Sequence, residues 1–113
     1  MADHITITPA GGQWVVRALG AVLGESRNAL SLAEGDLAPV IYFPRDDMAM
    51  AFFGKTDKTT TDPRKGEATY YSIHGKSGVL ENVAWSYETP KPGMEAIAGH
   101  LAFAADKVTV EKV

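Results

Sequence analysis

Three observations predict a mainly β fold. Polar–apolar alternation with a period of two dominates the first half of the chain, as in His4-Ile5-Thr6-Ile7-Thr8, the pattern of a half-buried strand. Glycine and proline punctuate these segments at Pro9, Gly11, Gly12, Gly20, Gly24 and Gly35, where turns are expected. Helical spacing is confined to two short stretches. With 113 residues, the chain is expected to form one domain over residues 1–113.

Each element follows from local pattern. Strands are expected at His4–Thr8 and Trp14–Leu19, with a short segment Ala21–Leu23 between Gly20 and Gly24. In Asn28–Leu32, Leu30 and Leu32 share a face. Val40-Ile41-Tyr42-Phe43 reads as a buried strand stopped by Pro44. Asp46 and Asp47 then suit the first turn of a short helix, Met48 to Phe53, closed by Gly54. Lys55 to Glu67 reads as a long polar loop, and loops of that length are often functional. Strands return at Ala68–His74 and Val79–Tyr87, joined by the hairpin sequence Gly75-Lys76-Ser77-Gly78. Met94 to Ala105 fits either a helix or a strand pairing; a short helix early and a strand at Lys107–Glu111 are the favoured reading.

Composition sets bounds on function. The chain is 45% hydrophobic and 22% charged, with a net charge of -3, as in ordinary globular proteins. No run of five like charges occurs, so no basic track for nucleic acid is expected. The absence of cysteine excludes disulfides, thiolate metal sites and cysteine nucleophiles, and is compatible with a cytoplasmic location. The start MADHITITPAGG lacks a cationic and apolar leader. Apolar runs fall far short of the ~20 residues of a membrane helix, so no membrane partner is expected.

Catalytic templates find little purchase. His4, His74 and His100 share no ligand spacing, and no metal site is expected. GxSxG is missing. Ala10-Gly11-Gly12 precedes a strand rather than a helix, so it cannot seat a phosphate on a helix N-terminus. The weak catalytic candidates are Asp46 and Asp47, beside Arg45 at the end of the buried strand. Arg45 could hold a carboxylate or phosphate with two parallel hydrogen bonds; a cap by either aspartate is the simpler account of the group.

A binding face is the stronger signal. Thr59, Thr60, Arg64, Lys65 and Gly66 have the makings of an anion cradle, and equally those of a polar loop. Trp85 and Tyr87 share one face of their strand with Val83, while Asn82, Ala84 and Ser86 face the other way unless a bulge intervenes. These aromatics suit a core as well as a ligand cage. A buried Asn82 must find partners for its amide, in the protein or in a ligand.

In order along the chain stand Tyr42-Phe43-Pro44-Arg45-Asp46-Asp47, Thr59-Thr60-Thr61-Asp62-Pro63-Arg64-Lys65-Gly66, Ala68-Thr69-Tyr70-Tyr71-Ser72, Asn82-Val83-Ala84-Trp85-Ser86-Tyr87 and Ile97-Ala98-Gly99-His100-Leu101-Ala102-Phe103. Over about residues 14 to 112 this series resembles a bacterial family, domain of unknown function 427, which carries a nucleotidyltransferase-like label. The resemblance implies a compact domain of β-tent type, with sheets packed on each other and one or two short helices. It transfers no catalytic residue. Asp62 stands where many relatives carry cysteine, and His100 where an aromatic residue is common; the first puts any thiol-dependent role in doubt.

The reading favoured is a binding module for a small anionic or nucleotide-like ligand. Tyr71, Trp85 and Tyr87 would line its pocket, Arg45 and Lys65 supply charge, and Thr60 and Asn82 orient the ligand. One alternative is an enzyme of nucleotidyl or phosphoryl transfer, with Asp46 or Asp47 as base or magnesium ligand. The other is a protein-interaction module. No resident cofactor is indicated, and exposed sheet edges are compatible with a homodimer.

Overall fold

The structure, a computed structural model, describes residues 4–113. The reading of Met1–Asp3 as the start of a leaderless N-terminus lies outside them. Among the described residues, ten strands form three antiparallel sheets. In the first, β1 (Ile5–Pro9) pairs with β4 (Leu30–Glu34), which pairs with β5 (Val40–Tyr42). In the second, β2 (Trp14–Ala18) lies between β3 (Ala21–Ser26) and β10 (Thr109–Lys112). In the third, β6 (Phe53–Asp62), β7 (Gly66–Gly75), β8 (Gly78–Ser86) and β9 (Ala102–Phe103) follow one another in order.

Turn chemistry sets the hairpins. Leu19 and Gly20 both take positive φ, 53° and 74°, the backbone of a two-residue turn whose twist matches its strands. Gly75 and Gly78 face each other across Lys76-Ser77, as the sequence suggested. The first and third sheets are joined by one residue pair: Phe43 and Leu101 exchange both backbone hydrogen bonds, each at 2.8 Å.

Side chains alternate across that joint, and two buried clusters result. Phe43 and Leu101 belong to a cluster with Val16, Leu23, Ile73 and Val108. Their neighbours Tyr42 and Ala102 belong to a second one with Leu32, Ala68, Tyr87 and Ile97. At an apolar transfer free energy of roughly 25 cal/mol per Å², these clusters are the main source of stability.

Three expectations are corrected. Lys55 to Glu67 is not a loop: Phe53–Asp62 is a ten-residue strand, and the turn is Pro63-Arg64-Lys65. The proposed helix over Met48–Phe53 is replaced by two 3-10 turns, Arg45–Asp47 and Met50–Phe52, and no side chain caps either. The intervening Met48 pairs with Gly24 of β3, and the Ala49 N–H donates to Leu23 at 2.7 Å. A Cβ at residue 24 would overlap Met48 and the Asp47 carbonyl, so glycine permits this docking. In Met94–Ala105 the early helix is a 3-10 turn at Glu95–Ile97, followed by β9; the last strand is β10.

Candidate functional site: an apolar groove where the sheets meet

All three sheets contribute to one groove of about 660 Å³. The first supplies Ser31, Val40 and Ile41, the second Trp14 and Val110, and the third Trp85 and Phe103. Small residues leave the space open: Ala10, Ala38, Pro39, Ala104 and Ala105. Among the described residues, no lining residue is charged. Both tryptophans of the chain are in the wall. The Trp14 indole N–H donates to the Gly11 carbonyl at 2.9 Å, and that of Trp85 points to Tyr42 Oη at 3.5 Å. Ser31 brings the one side-chain hydroxyl to the wall. Among the described residues, no hydrogen bond engages that hydroxyl.

The expected site residues are distributed over four separate arrangements. Arg45 donates from Nη2 to Glu88 Oε2 at 2.6 Å, from Nη1 to Tyr71 Oη at 3.3 Å and from Nε to the Gly99 carbonyl at 3.2 Å. Its guanidinium also lies 5.4 Å from the Tyr71 ring centre. Tyr71 Oη and Ser86 Oγ each donate to Glu88, at 3.0 and 2.8 Å. Partial burial opposes the Glu88 charge, but these hydroxyls and Arg45 outweigh it and hold the carboxyl below its usual range.

Lys65 is in a second arrangement. It is 7% exposed, and its ammonium donates to Glu34 at 3.0 Å and Asp62 at 3.1 Å. Burial alone would lower the Lys65 pKa; its two carboxylate partners more than reverse this, and the net shift is upward. Asp62 also accepts the backbone N–H groups of Arg64 and Lys65, at 2.8 and 3.0 Å. Those bonds and the ammonium overcome the cost of burial and shift its carboxyl down. Arg64 pairs with Glu34 at 3.0 Å.

Asn82 is part of a bracket between strands. Its φ of +55° marks a bulge in β8, where the register with β7 shifts. Its N–H donates to Ser72 Oγ at 3.0 Å, and its Oδ1 accepts from Thr56 Oγ1 at 2.6 Å. The bulge also moves Val83 away from Trp85 and Tyr87, into the cluster of Phe43 and Ala84. The expectation that Val83 shares their face is thereby corrected.

The fourth arrangement leads to the groove. Thr60 Oγ1 and Tyr70 Oη share a hydrogen bond at 3.2 Å, Lys58 lies 4.6 Å above the Tyr70 ring, and Tyr70 tilts against Trp85 at 6.2 Å. Tyr87 is buried in the second cluster beside Tyr42. Burial pushes both phenol pKa values up; for Tyr42, the bond from Trp85 offsets part of that shift. The two aspartates diverge: Asp46 is exposed, and Asp47 Oδ2 accepts from buried Ser26 Oγ at 2.6 Å.

Trp85 is therefore the one expected ligand contact that lines the groove. Sequence reading missed Trp14, Ser31 and Phe103 as site residues, and the partner carboxylates Glu34 and Glu88. A usable signal existed for Trp14, since a large indole beside the Gly11-Gly12 turn has little reason to be at a strand end. The alanines gave none.

A mainly β domain of three sheets around a shared apolar groove defines the class. The chain matches the model of the family Domain of unknown function (DUF427), short name NTP_transf_9, over residues 6–113, and belongs to that family. No curated protein matches it. No helix among the described residues is long and apolar enough to cross a membrane.

Proposed function

We propose that the chain is a binding domain for a small molecule held in the groove between the three sheets. The observation that carries this reading is the wall itself: two tryptophans and a phenylalanine converge on about 660 Å³ that small residues leave open. Small-ligand sites span about 300–1,000 Å³ and are mostly apolar with few polar groups. Buried aromatic area of this kind is a large source of affinity.

The phosphoryl-transfer alternative draws less support. Arg45 and Lys65 are each held by carboxylates, and Asp47 is held by Ser26. A phosphate would have to displace those partners. The groove reading is tested by a fragment screen on ¹⁵N-labelled protein, read at the two indole N–H resonances. Fragments that bind are expected to move both Trp14 and Trp85. Binders that leave both signals in place would overturn the proposal.

A further inference from the structure

We infer that the ligand of this groove is an uncharged, ring-bearing molecule with a single hydrogen-bonding group that meets Ser31. The inference rests on the groove reading and narrows it to a chemical class. Its first ground is charge. None of the described side chains lining the groove is ionisable; the expected cations Arg45 and Lys65 are bound to Glu88, Glu34 and Asp62, and Lys112, opposite Trp14, lies against Gly12 outside the lining. A carboxylate or phosphate drawn against these lining side chains would lose water and meet no cation among them, which disfavours it. A neutral ring loses little water that matters and gains contact with both indoles.

The second ground is the inventory of polar groups. The Trp14 N–H is taken by Gly11, and that of Trp85 is directed at Tyr42. Ser31 alone keeps an uncommitted hydroxyl, which is both a donor and an acceptor. Ser31 is the second residue of β4, the central strand of its sheet, opposite Thr8 on one side and Ile41 on the other, so its position is set by two ladders rather than by a loop. One fixed hydroxyl in an apolar wall orients a ligand with one matching polar group, such as a phenol, a ketone or an amide on a ring.

A matched pair of probes tests this. 2-Naphthol and 2-naphthoate have the same fused rings and differ in charge at neutral pH. Titration of each into the full chain is followed at the two indole N–H resonances and by calorimetry. The alcohol is expected to bind with both indoles shifted, and the carboxylate about tenfold more weakly or worse. Ser31→Ala is expected to weaken the alcohol roughly threefold and leave unsubstituted naphthalene unaffected. Equal affinity for the two probes would overturn the charge inference while leaving the groove reading in place. Alcohol binding that Ser31→Ala does not change would overturn the role of the hydroxyl. If no naphthalene compound moves either indole, the groove reading falls as well.

Discussion

The charged patch around Lys65 and the groove between the sheets differ in what their side chains have left to offer. At Lys65, Glu34 and Asp62 an ammonium meets two carboxylates, and a carboxylate of Asp62 also caps two backbone N–H groups. Every strong donor there has an acceptor within the protein. In the groove the rings rest on one side against the protein, Trp85 on Tyr70 and Phe103 on Phe43 and Phe53, while one hydroxyl has no such partner and alanines and a proline leave space between the sheets. Polar density in a sequence is therefore not in itself a free binding face, since around Lys65 it is engaged within the fold.

The comparison breaks if the patch turns out to bind or the groove to be inert. Lys65→Met carries the largest expected effect. It leaves Glu34 with Arg64 alone and Asp62 with its two backbone N–H groups, their side chains 18% and 30% exposed, and should cost about 1.5–2 kcal/mol, below the full penalty of a wholly buried pair. Denaturant unfolding measures it. Unchanged stability with lost ligand binding would reverse the roles given to the two regions.

Acid should loosen both charged networks together. Asp62 and Glu88 titrate below the ordinary carboxylate range in the fold, so the unfolded chain takes up protons first. Their contribution is complete above about pH 5 and is lost as pH falls through the depressed folded values. Lys65, Tyr42 and Tyr87 are shifted up, so their contribution is complete below about pH 9 and fades as pH rises through the raised folded values. A thermal melt at each pH should therefore show a plateau with two shoulders. A Lys65→Met variant should keep the part of the acid limb that comes from Glu88.

Glu88→Gln is expected to have a smaller effect. It removes the charge that Arg45, Tyr71 and Ser86 share, but the site is partly solvated, so about 1 kcal/mol is expected. Its indole resonances should respond to 2-naphthol as the parent's do. Ala38→Phe should change stability least, within about 0.5 kcal/mol for an exposed position. Because residue 38 lines the groove, its bulk should still weaken 2-naphthol about tenfold. That variant separates the two regions most cleanly.

Much of the fold was legible in the residues. β1 follows the period-two pattern, β2, β7 and β8 fall where strands were expected, and the turn between Gly75 and Gly78 was expected from its glycines, of which Gly78 takes positive φ. β6 was hidden because most of its residues are exposed, and alternation shows only when one face is buried. The Met-Ala-Met-Ala-Phe-Phe run read as a helix on propensity, yet the pairing of Met48 with Gly24 cuts it into single turns. The charged and aromatic side chains were visible one by one, but their grouping was not. Lys65 meets Glu34 across 31 positions, a distance that no local pattern encodes. The left-handed backbone of Asn82 altered which side chains share a face, and nothing in its neighbours announced it. An open space framed by alanines leaves no trace in composition.

The pairing of β10 with β2 places Lys112 opposite Trp14 and Thr109 opposite Arg17. One wall of the groove, at Val110, is thus made by a strand that leaves the ribosome long after the strand it must join. Until it arrives, β2 has an unpaired edge, which is a template for association with other chains. Closing so long a loop is slow compared with forming hairpins, so such topologies fold over milliseconds to seconds. The groove wall at Val110 therefore cannot form before β10 has joined β2.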